Sequence, residues 1–336
     1  MTELRYNYST DGTLISATVP RYVFKFAPVN SYSISSLREK YLWFSRPAEF
    51  NDIFELPTKV RQEFSDSELR SYFRANLPFH LKKFGVEPPD SGALEATITK
   101  LLTEHRTTIS TLFQKSQQVR RDLIRICCLS MRYDDPLMWA HYAASFAGVC
   151  LVFDFPALVA AGPWFPVQVK YVDQTPVFDP VSTSLRHHAA PRPYQDNAAN
   201  LEYDQIQFGA KLNAWAHEKE LRLCTLQSEP KQHYPEEALL GVIMGPRISQ
   251  QDEQSIVDAA SHSRIPPTFG RLTVDENDSS LTVAGLQNTC VEMAVIGVRN
   301  LAKEIRRGGG GGRDVRPNQP IERTASRRSS AERWTL

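Results

Sequence analysis

The sequence predicts an α+β domain with a mixed, mainly antiparallel sheet, a helical insertion and a disordered C-terminal tail. Three observations predict it. Runs of strand length and strand composition recur from Arg21–Phe26 to Leu281–Leu286. One long block, residues 58–125, instead carries apolar residues at helical spacing. From Arg307 the chain turns to Gly, Arg, Ser and Pro, with too little apolar surface to offset its ordering entropy.

Taken in order, residues 1–20 are polar with few periodic apolar positions and read as a loose lead-in to a single domain over 21–300. Arg21–Phe26 alternates and is rich in β-formers, so it reads as a strand, and Ser33–Lys40 as a short helix. Tyr41–Ser45 reads as a second strand, broken by Arg46-Pro-Ala-Glu-Phe-Asn-Asp52. Within 58–125, Leu94, Ile98, Leu101, Leu102, His105, Ile109, Leu112 and Phe113 fall on one helical face, and Pro78, Pro88 and Pro89 cut an earlier helix from this one. Ile126–Met131 is a buried-strand run. Asp135-Pro136 starts a helix over Leu137–Ser145, with Asp as N-cap and Pro in the first turn. Val149–Phe153 is continuously apolar and so central. Val167–Val172 is a strand, Thr175–Asn200 a Pro-rich surface loop, and Leu201–His217 a helix. Glu220–Thr225 and Leu239–Met244 are strands, Ser249 caps a helix to Ser261, and Arg271–Val274 with Leu281–Leu286 make a closing hairpin.

Composition narrows the function classes. The chain has 336 residues, 41% hydrophobic and 23% charged, with a formal net charge of +1. That near-neutral total argues against electrostatic nucleic-acid binding by the whole molecule, and it divides into a slightly acidic body and a basic tail. The seven arginines between Arg307 and Arg333 make the tail basic, suited to an acidic partner. No run approaches the ~18 apolar residues of a membrane span, and Met1-Thr-Glu-Leu-Arg-Tyr6 has no apolar signal core. Five cysteines, an odd number set in apolar runs, read as buried thiols in a reducing, cytoplasmic setting. There is no Cys-x-x-Cys pair and no His-Glu-x-x-His, so no metal site is expected.

Candidate chemistry concentrates in Glu218-Lys-Glu220-Leu-Arg222. If a strand begins near Glu218, period-two geometry sets Glu218, Glu220 and Arg222 on one face and Leu221 and Leu223 on the other, with the carboxylates roughly 7 Å apart at ~3.3 Å rise per residue. Paired carboxylates beside a guanidinium suit binding of ribose hydroxyls and stabilisation of an oxocarbenium-like centre. The competing reading is a solvated strand face with an Arg–Glu pair. His141, in Trp139-Ala-His-Tyr142, is an acid/base candidate or a structural hydrogen-bonder. Asn51 and Asp52 form an Asx-turn or touch a ligand. Lys25, in an apolar strand, either contacts a phosphate or carbonyl or lies on an open face. His187-His188 reads as surface. Gly308–Gly312 lacks the Lys-Ser or Lys-Thr of a phosphate-binding loop and reads as a linker.

One ordered set of motifs spans about residues 21–290: Phe24-Lys-Phe26, Leu42-Trp-Phe-Ser45, Phe50-Asn-Asp52, Trp139-Ala-His-Tyr142, Gly148-Val-Cys-Leu-Val-Phe-Asp154, Val169-Lys-Tyr171, Lys211, Trp215-Ala-His-Glu-Lys-Glu-Leu-Arg222 and Val242-Ile-Met-Gly245. It resembles the bacterial family catalogued as domain of unknown function 2971. The layout is similar, more distantly, to the ADP-ribosyltransferase-like fold. That resemblance implies a split antiparallel sheet clasping NAD in its cleft, with Lys25 on the first strand, Ser45 on the second, Glu220 as catalytic glutamate and Glu218 as the preceding acid. Asn51, Tyr142 and Arg222 join Lys25 and Ser45 as binding candidates. Lys25 departs from the His or Arg of many members, and an ammonium does not replace a planar imidazole or guanidinium without loss.

Two functional expectations follow. The first is a transferase that moves ADP-ribose from NAD to a macromolecular acceptor, protein or nucleic acid, with Glu220 at the ribose and Glu218 or His141 activating the acceptor. The second is a non-catalytic nucleotide- or partner-binding sensor or effector module of a phage-defence or toxin system. A nuclease or hydrolase using His141 and Asp154 is a third, and it requires a metal. The first expectation demands that Lys25, Ser45 and Glu220 converge in one pocket.

Overall fold

The computed structural model describes residues 5–8, 14–18, 20–56, 58–189, 207–275 and 280–285. Eight strands make the main sheet: β1 (Tyr22–Ala27), β2 (Arg125–Ser130), β3 (Val149–Asp154), β4 (Phe165–Gln168), β5 (Glu220–Thr225), β6 (Leu239–Met244), β7 (Thr268–Asp275) and β8 (Ser280–Ala284). Their order is β8-β7-β6-β3-β1-β2-β5-β4. Every neighbouring pair is antiparallel except β6–β7, which is parallel. The sheet is therefore mixed and mainly antiparallel, as its sequence predicts. It is also nearly divided. β1 pairs with β3 over six residues, but with β2 only at Phe24↔Ser130.

The burial of each strand follows from its composition. All six residues of β3 and of β5 are buried. For Val149–Phe153 of β3 the continuous apolar run accounts for this, because both faces are covered, and Asp154 at its end is paired with Arg21 and the Ala157 N–H. For β5 it does not, since Glu220 and Arg222 are among the buried residues. One face of the sheet carries Val23, Leu129, Leu151, Leu221, Leu223 and Val242 and packs on helices α1 (Ser31–Glu39), α5 (Phe155–Ala161) and α7 (Gln250–Ser261) through Leu37, Leu158 and Ile256.

Helices α2 (Asp66–Lys83) and α3 (Ser91–Leu123) form the insertion. They pack with Val181 of α6 (Pro180–Ala189) in a separate core that includes Leu69, Ile98, Leu102, Ile109 and Phe113. The other face of the sheet bears two apolar clusters. Phe24, Phe26, Val152 and Ile243 meet Met138 and Trp139 of α4 (Pro136–Tyr142). Ile126, Val167 and Cys224 meet Leu56, Ile124 and Phe208. By register, the side chains of Ser130, Cys128, Glu220 and Arg222 lie on this same face, between the two clusters.

Several sequence expectations need correction. Residues 1–20 are not merely a loose lead-in, because Arg5–Tyr8 and Leu14–Thr18 pair as antiparallel strands. Their Tyr-, Ile- and Thr-bearing segments suit a ladder. Pro78 does not cut a helix but sits inside α2, and the break comes at the Pro88-Pro89 stretch. The helix after Asp135 ends at Tyr142, because Ala144, Ser145 and Phe146 all take positive φ. The expected loop over Thr175–Asn200 contains the Val177–Phe178 strand and α6. The expected helix over Leu201–His217 is, where described, largely a strand and a turn. Ala210–Leu212 pairs in parallel with Lys170–Val172, and Asn213–Glu218 forms a 3-10 turn. Tertiary pairing overrides the apolar spacing there. Cys290 and the tail from Arg307 lie outside the described residues.

Candidate functional site

Glu220 and Arg222 alternate along β5 and share a face, as two-residue periodicity requires. Glu218 does not belong to that strand. It ends the 3-10 turn, and Lys219 between it and Glu220 is left-handed at φ 46°. The left-handed residue breaks the alternation and brings the Glu218 side chain back to the same cluster. That conformation costs a non-glycine residue about 1 kcal/mol or more. The preceding Ala210–Leu212 strand supplies Lys211, and the loop after Ser45 supplies Glu55.

These five charged side chains touch in sequence. Arg222 Nε donates to Glu220 Oε1 at 2.8 Å, and its Nη2 lies 2.6 Å from Glu55 Oε1. Arg222 Nη1 donates to the Phe208 carbonyl at 2.7 Å. Lys211 Nζ donates to Glu220 Oε2 at 2.9 Å and also to Glu218 Oε2. Tyr142 OH donates to Glu218 Oε1 at 2.5 Å and accepts from the exposed Asn51 amide at 3.2 Å. Tyr171 OH accepts from the Glu220 backbone N–H at 2.8 Å. The fractional exposures of Arg222, Glu220 and Glu218 are 0%, 2% and 4%. The solvated-face reading of Glu-x-Glu-x-Arg is thereby overturned.

Burial sets the electrostatics. Desolvation acts to raise the Glu220 carboxyl, but the Arg222 guanidinium and the Lys211 ammonium outweigh it and hold Glu220 well below the usual carboxylate range. Desolvation wins at Glu218 and, with the Glu220 charge beside it, pushes that carboxyl up despite Lys211. Lys211 is raised because Glu220 and Glu218 outweigh its own desolvation, and Arg222 is raised for the same reason by Glu220 and Glu55. Burial first, then its bond to Glu218, pushes the Tyr142 phenol up. The surroundings thus favour the anion at Glu220 and the protonated form at Glu218.

The remaining sequence candidates fall in different places. Lys25 is on the opposite side of the sheet. Phe24 pairs with Ser130 and Ser130 with Glu220, so those three side chains share a face and Lys25 projects from the other. Its Nζ donates to the Cys128 carbonyl at 3.1 Å, across the near-division between β1 and β2. Ser45 is bridged to Ile126 and lies on the Glu220 side. The convergence of Lys25, Ser45 and Glu220 in one cleft is therefore not met, because strand parity separates Lys25 from the other two. His141 is exposed at the rim, its ring 6.4 Å from those of Tyr142 and His217. Asp154 caps α5 through the Ala157 N–H and pairs with Arg21 at 2.6 Å. Asp52 does build the expected turn, accepting from Phe54 N–H at 2.9 Å, while its second carboxylate oxygen is buried without a partner. His188 is not simply a surface residue, since its Nε2 lies 3.1 Å from Asn76 Oδ1.

Glu55 carries no sequence signal, while Tyr171 and Lys211 stand in the ordered motif set without an assigned role. A charged residue three positions after an Asn-Asp turn is ordinary in a solvated loop, so only the fold reveals the contact of Glu55 with Arg222. Among the described residues, no group of three or more His, Cys, Asp or Glu side chains is placed to hold a metal ion. No helix among them is long and apolar enough to cross a membrane.

The fold and the site define an α+β domain with a buried, charge-compensated polar centre on its sheet. The model of the family described as protein of unknown function (DUF2971) matches residues 138–223. The matched segment runs from α4 to β5 and so contains Tyr142, Lys211, Glu218, Glu220 and Arg222. No curated protein and no solved structure matches the chain significantly.

Proposed function

We infer that this domain is a recognition module: it binds a nucleotide or a partner at the Glu218–Lys211–Glu220–Arg222 centre without turning it over. One observation carries the reading. Glu220, which glycosyl transfer would need in contact with a sugar, has both carboxylate oxygens engaged by Arg222 and Lys211 at 2.8 and 2.9 Å. A carboxylate so committed orders the site and does not reach a substrate. The separation of Lys25 from Glu220 weighs in the same direction. The test is titration of the protein with NAD, followed by calorimetry for binding and by chromatography for released nicotinamide. Binding without release is expected, and nicotinamide release that disappears in Glu220→Gln would reverse the assignment.

ADP-ribosyl transfer is the second reading. Glu218 favours it, because that carboxyl is raised by burial and linked through Tyr142 to the exposed Asn51. A poised acid that communicates with the surface is what activation of an acceptor requires. On this reading Glu218→Gln abolishes label transfer to a macromolecule while leaving NAD binding intact.

A further inference from the structure

The segment Phe50–Leu56 lies over the charged centre in an unusual way. Its two largest apolar tip residues face outward, Ile53 being 87% and Phe54 59% exposed, so they do not hold the segment down. Phe50 and Leu56 anchor its two ends in the apolar cluster with Ile124, Ile126 and Phe208; between them it is held by Glu55, whose Oε1 lies 2.6 Å from Arg222 Nη2 and Oε2 4.0 Å from Lys211 Nζ, and by the exposed bond from Asn51 to Tyr142. Arg121 adds a bond to the Glu55 carbonyl at 3.0 Å. At its far end Leu56 is fully buried and left-handed at φ 53°, a conformation strained for a leucine. Within the segment the second Asp52 carboxylate oxygen is buried and unpartnered, on a residue 5% exposed. An unpaired buried carboxylate oxygen and a left-handed leucine both disfavour the closed arrangement.

We propose that Asn51–Glu55, hinged on the packed Phe50 and Leu56, is a displaceable cover and that Glu55 occupies, on Arg222, the subsite of an anionic ligand group, a carboxylate or a phosphate. Charge conservation supports this. Glu55, Glu218 and Glu220 face Lys211 and Arg222 in the closed cluster, and an incoming monoanion that replaces Glu55 leaves that balance unchanged. Geometry supports it too. A guanidinium binds carboxylate and phosphate oxygens with the same donor fork. The Glu55 carboxylate also accepts from its own neighbour, the Leu56 N–H at 3.2 Å, which a departing segment carries away with it. Because only the open form binds, apparent affinity is reduced by the open fraction. Removing the internal carboxylate therefore tightens binding. The inference rests on the recognition reading but fails separately from it.

The experiment compares wild type with Glu55→Gln in calorimetric titrations with pyrophosphate, glutarate and NAD, alongside hydrogen exchange of the 50–56 amides. Glu55→Gln is expected to bind at least one of these anions tenfold more tightly or better. Pyrophosphate against glutarate distinguishes a phosphate from a carboxylate source. Saturating anion is expected to speed amide exchange in 50–56 in the wild type. Asn51→Ala, which removes only the exposed latch, keeps the test open if Glu55→Gln does not fold: it should raise affinity by up to about twofold and speed amide exchange in 50–56 without ligand. Equal affinity of folded variant and wild type for all three anions overturns the proposal. So does ligand binding that leaves exchange in 50–56 unchanged, although the recognition reading survives that result. Nicotinamide release together with tighter binding leaves the cover standing and sinks the non-turnover reading.

Discussion

Two groups of ion pairs in this molecule use the same side chains in opposite surroundings. In the helical insertion, Arg74 and Glu95 meet on the open surface between α2 and α3, and Arg61 bridges Glu68 and Asp179 at 2.7 Å each. In the sheet, Lys211 and Arg222 meet Glu55, Glu218 and Glu220 out of contact with water. On the surface the hydrogen-bonding partners set the direction, and all of these carboxyls go down. The Arg61 hydrogen bond pulls Glu68 down to about 2, and the Arg74 bond lowers Glu95. In the sheet, touching a cation is not enough. Glu220 goes down and Glu218 goes up, although both accept from the same ammonium. Desolvation is the difference: where water is excluded it competes with the partner, and the number of cations per carboxylate decides the sign.

The comparison breaks most visibly if one arginine is removed from each group. Arg222→Met leaves Glu55 and Glu220 buried with Lys211 as their remaining cation, and removing one partner of a buried ion pair costs about 3–5 kcal/mol. Arg74→Met uncovers a carboxylate that water solvates at once, so its denaturation midpoint should not move. Urea unfolding followed by circular dichroism checks both. Equal small losses in the two variants would mean that the sheet centre is wetter than its burial indicates.

A pH series sharpens the contrast inside the centre. The raised Glu218 carboxyl contributes stability that is fully present below its ordinary value of 4.5 and is lost as pH rises through its folded value. The depressed Glu220 carboxyl contributes stability that is present above 4.5 and is lost as pH falls through its folded value. Replacing Glu218 by Gln should therefore flatten the decline of the urea midpoint above pH 4.5, and at neutral pH it should match or exceed wild type. Glu220→Gln should flatten the acid limb instead. If both variants follow the wild-type profile, the two carboxyls are not split as their surroundings require.

How much of this was legible in sequence depends on how local the cause is. The strands Glu220–Thr225 and Leu239–Met244 were read to the residue, because alternation and bounding turns are local signals. Val149–Phe153 reads as central because an unbroken apolar run has no solvent face, and the strand itself runs one residue further, to Asp154. The assignment of Glu218 to the strand failed because Lys219 turns left-handed there, and a lysine does not announce positive φ. Ala210–Leu212 was read as helix because its apolar spacing suited one, while its extended state comes from Lys170–Val172, about forty residues earlier. The site shows the same division. Glu220 and Arg222 were legible as a pair on one strand face. Their burial was not, because it requires Lys211 and Glu55 from two other segments, and without those cations and anions a buried Glu and Arg would have been refused on energetic grounds.

The smallest expected effect tests where the buried centre gives way to the surface. Tyr142 stands between them, since its hydroxyl donates inward to Glu218 and accepts outward from Asn51. Tyr142→Phe removes both bonds and keeps the ring, so a loss of about 1 kcal/mol is expected, chiefly from the bond to the carboxylate. Asn51→Ala removes only the exposed bond and should cost a few tenths of that. A double-mutant cycle between the two positions then reports a coupling well below the Tyr142 loss. A coupling as large as the single Tyr142 effect would place Asn51 inside the centre, and the boundary between surface and buried charge would lie one residue further out, at the rim where His141 stands exposed.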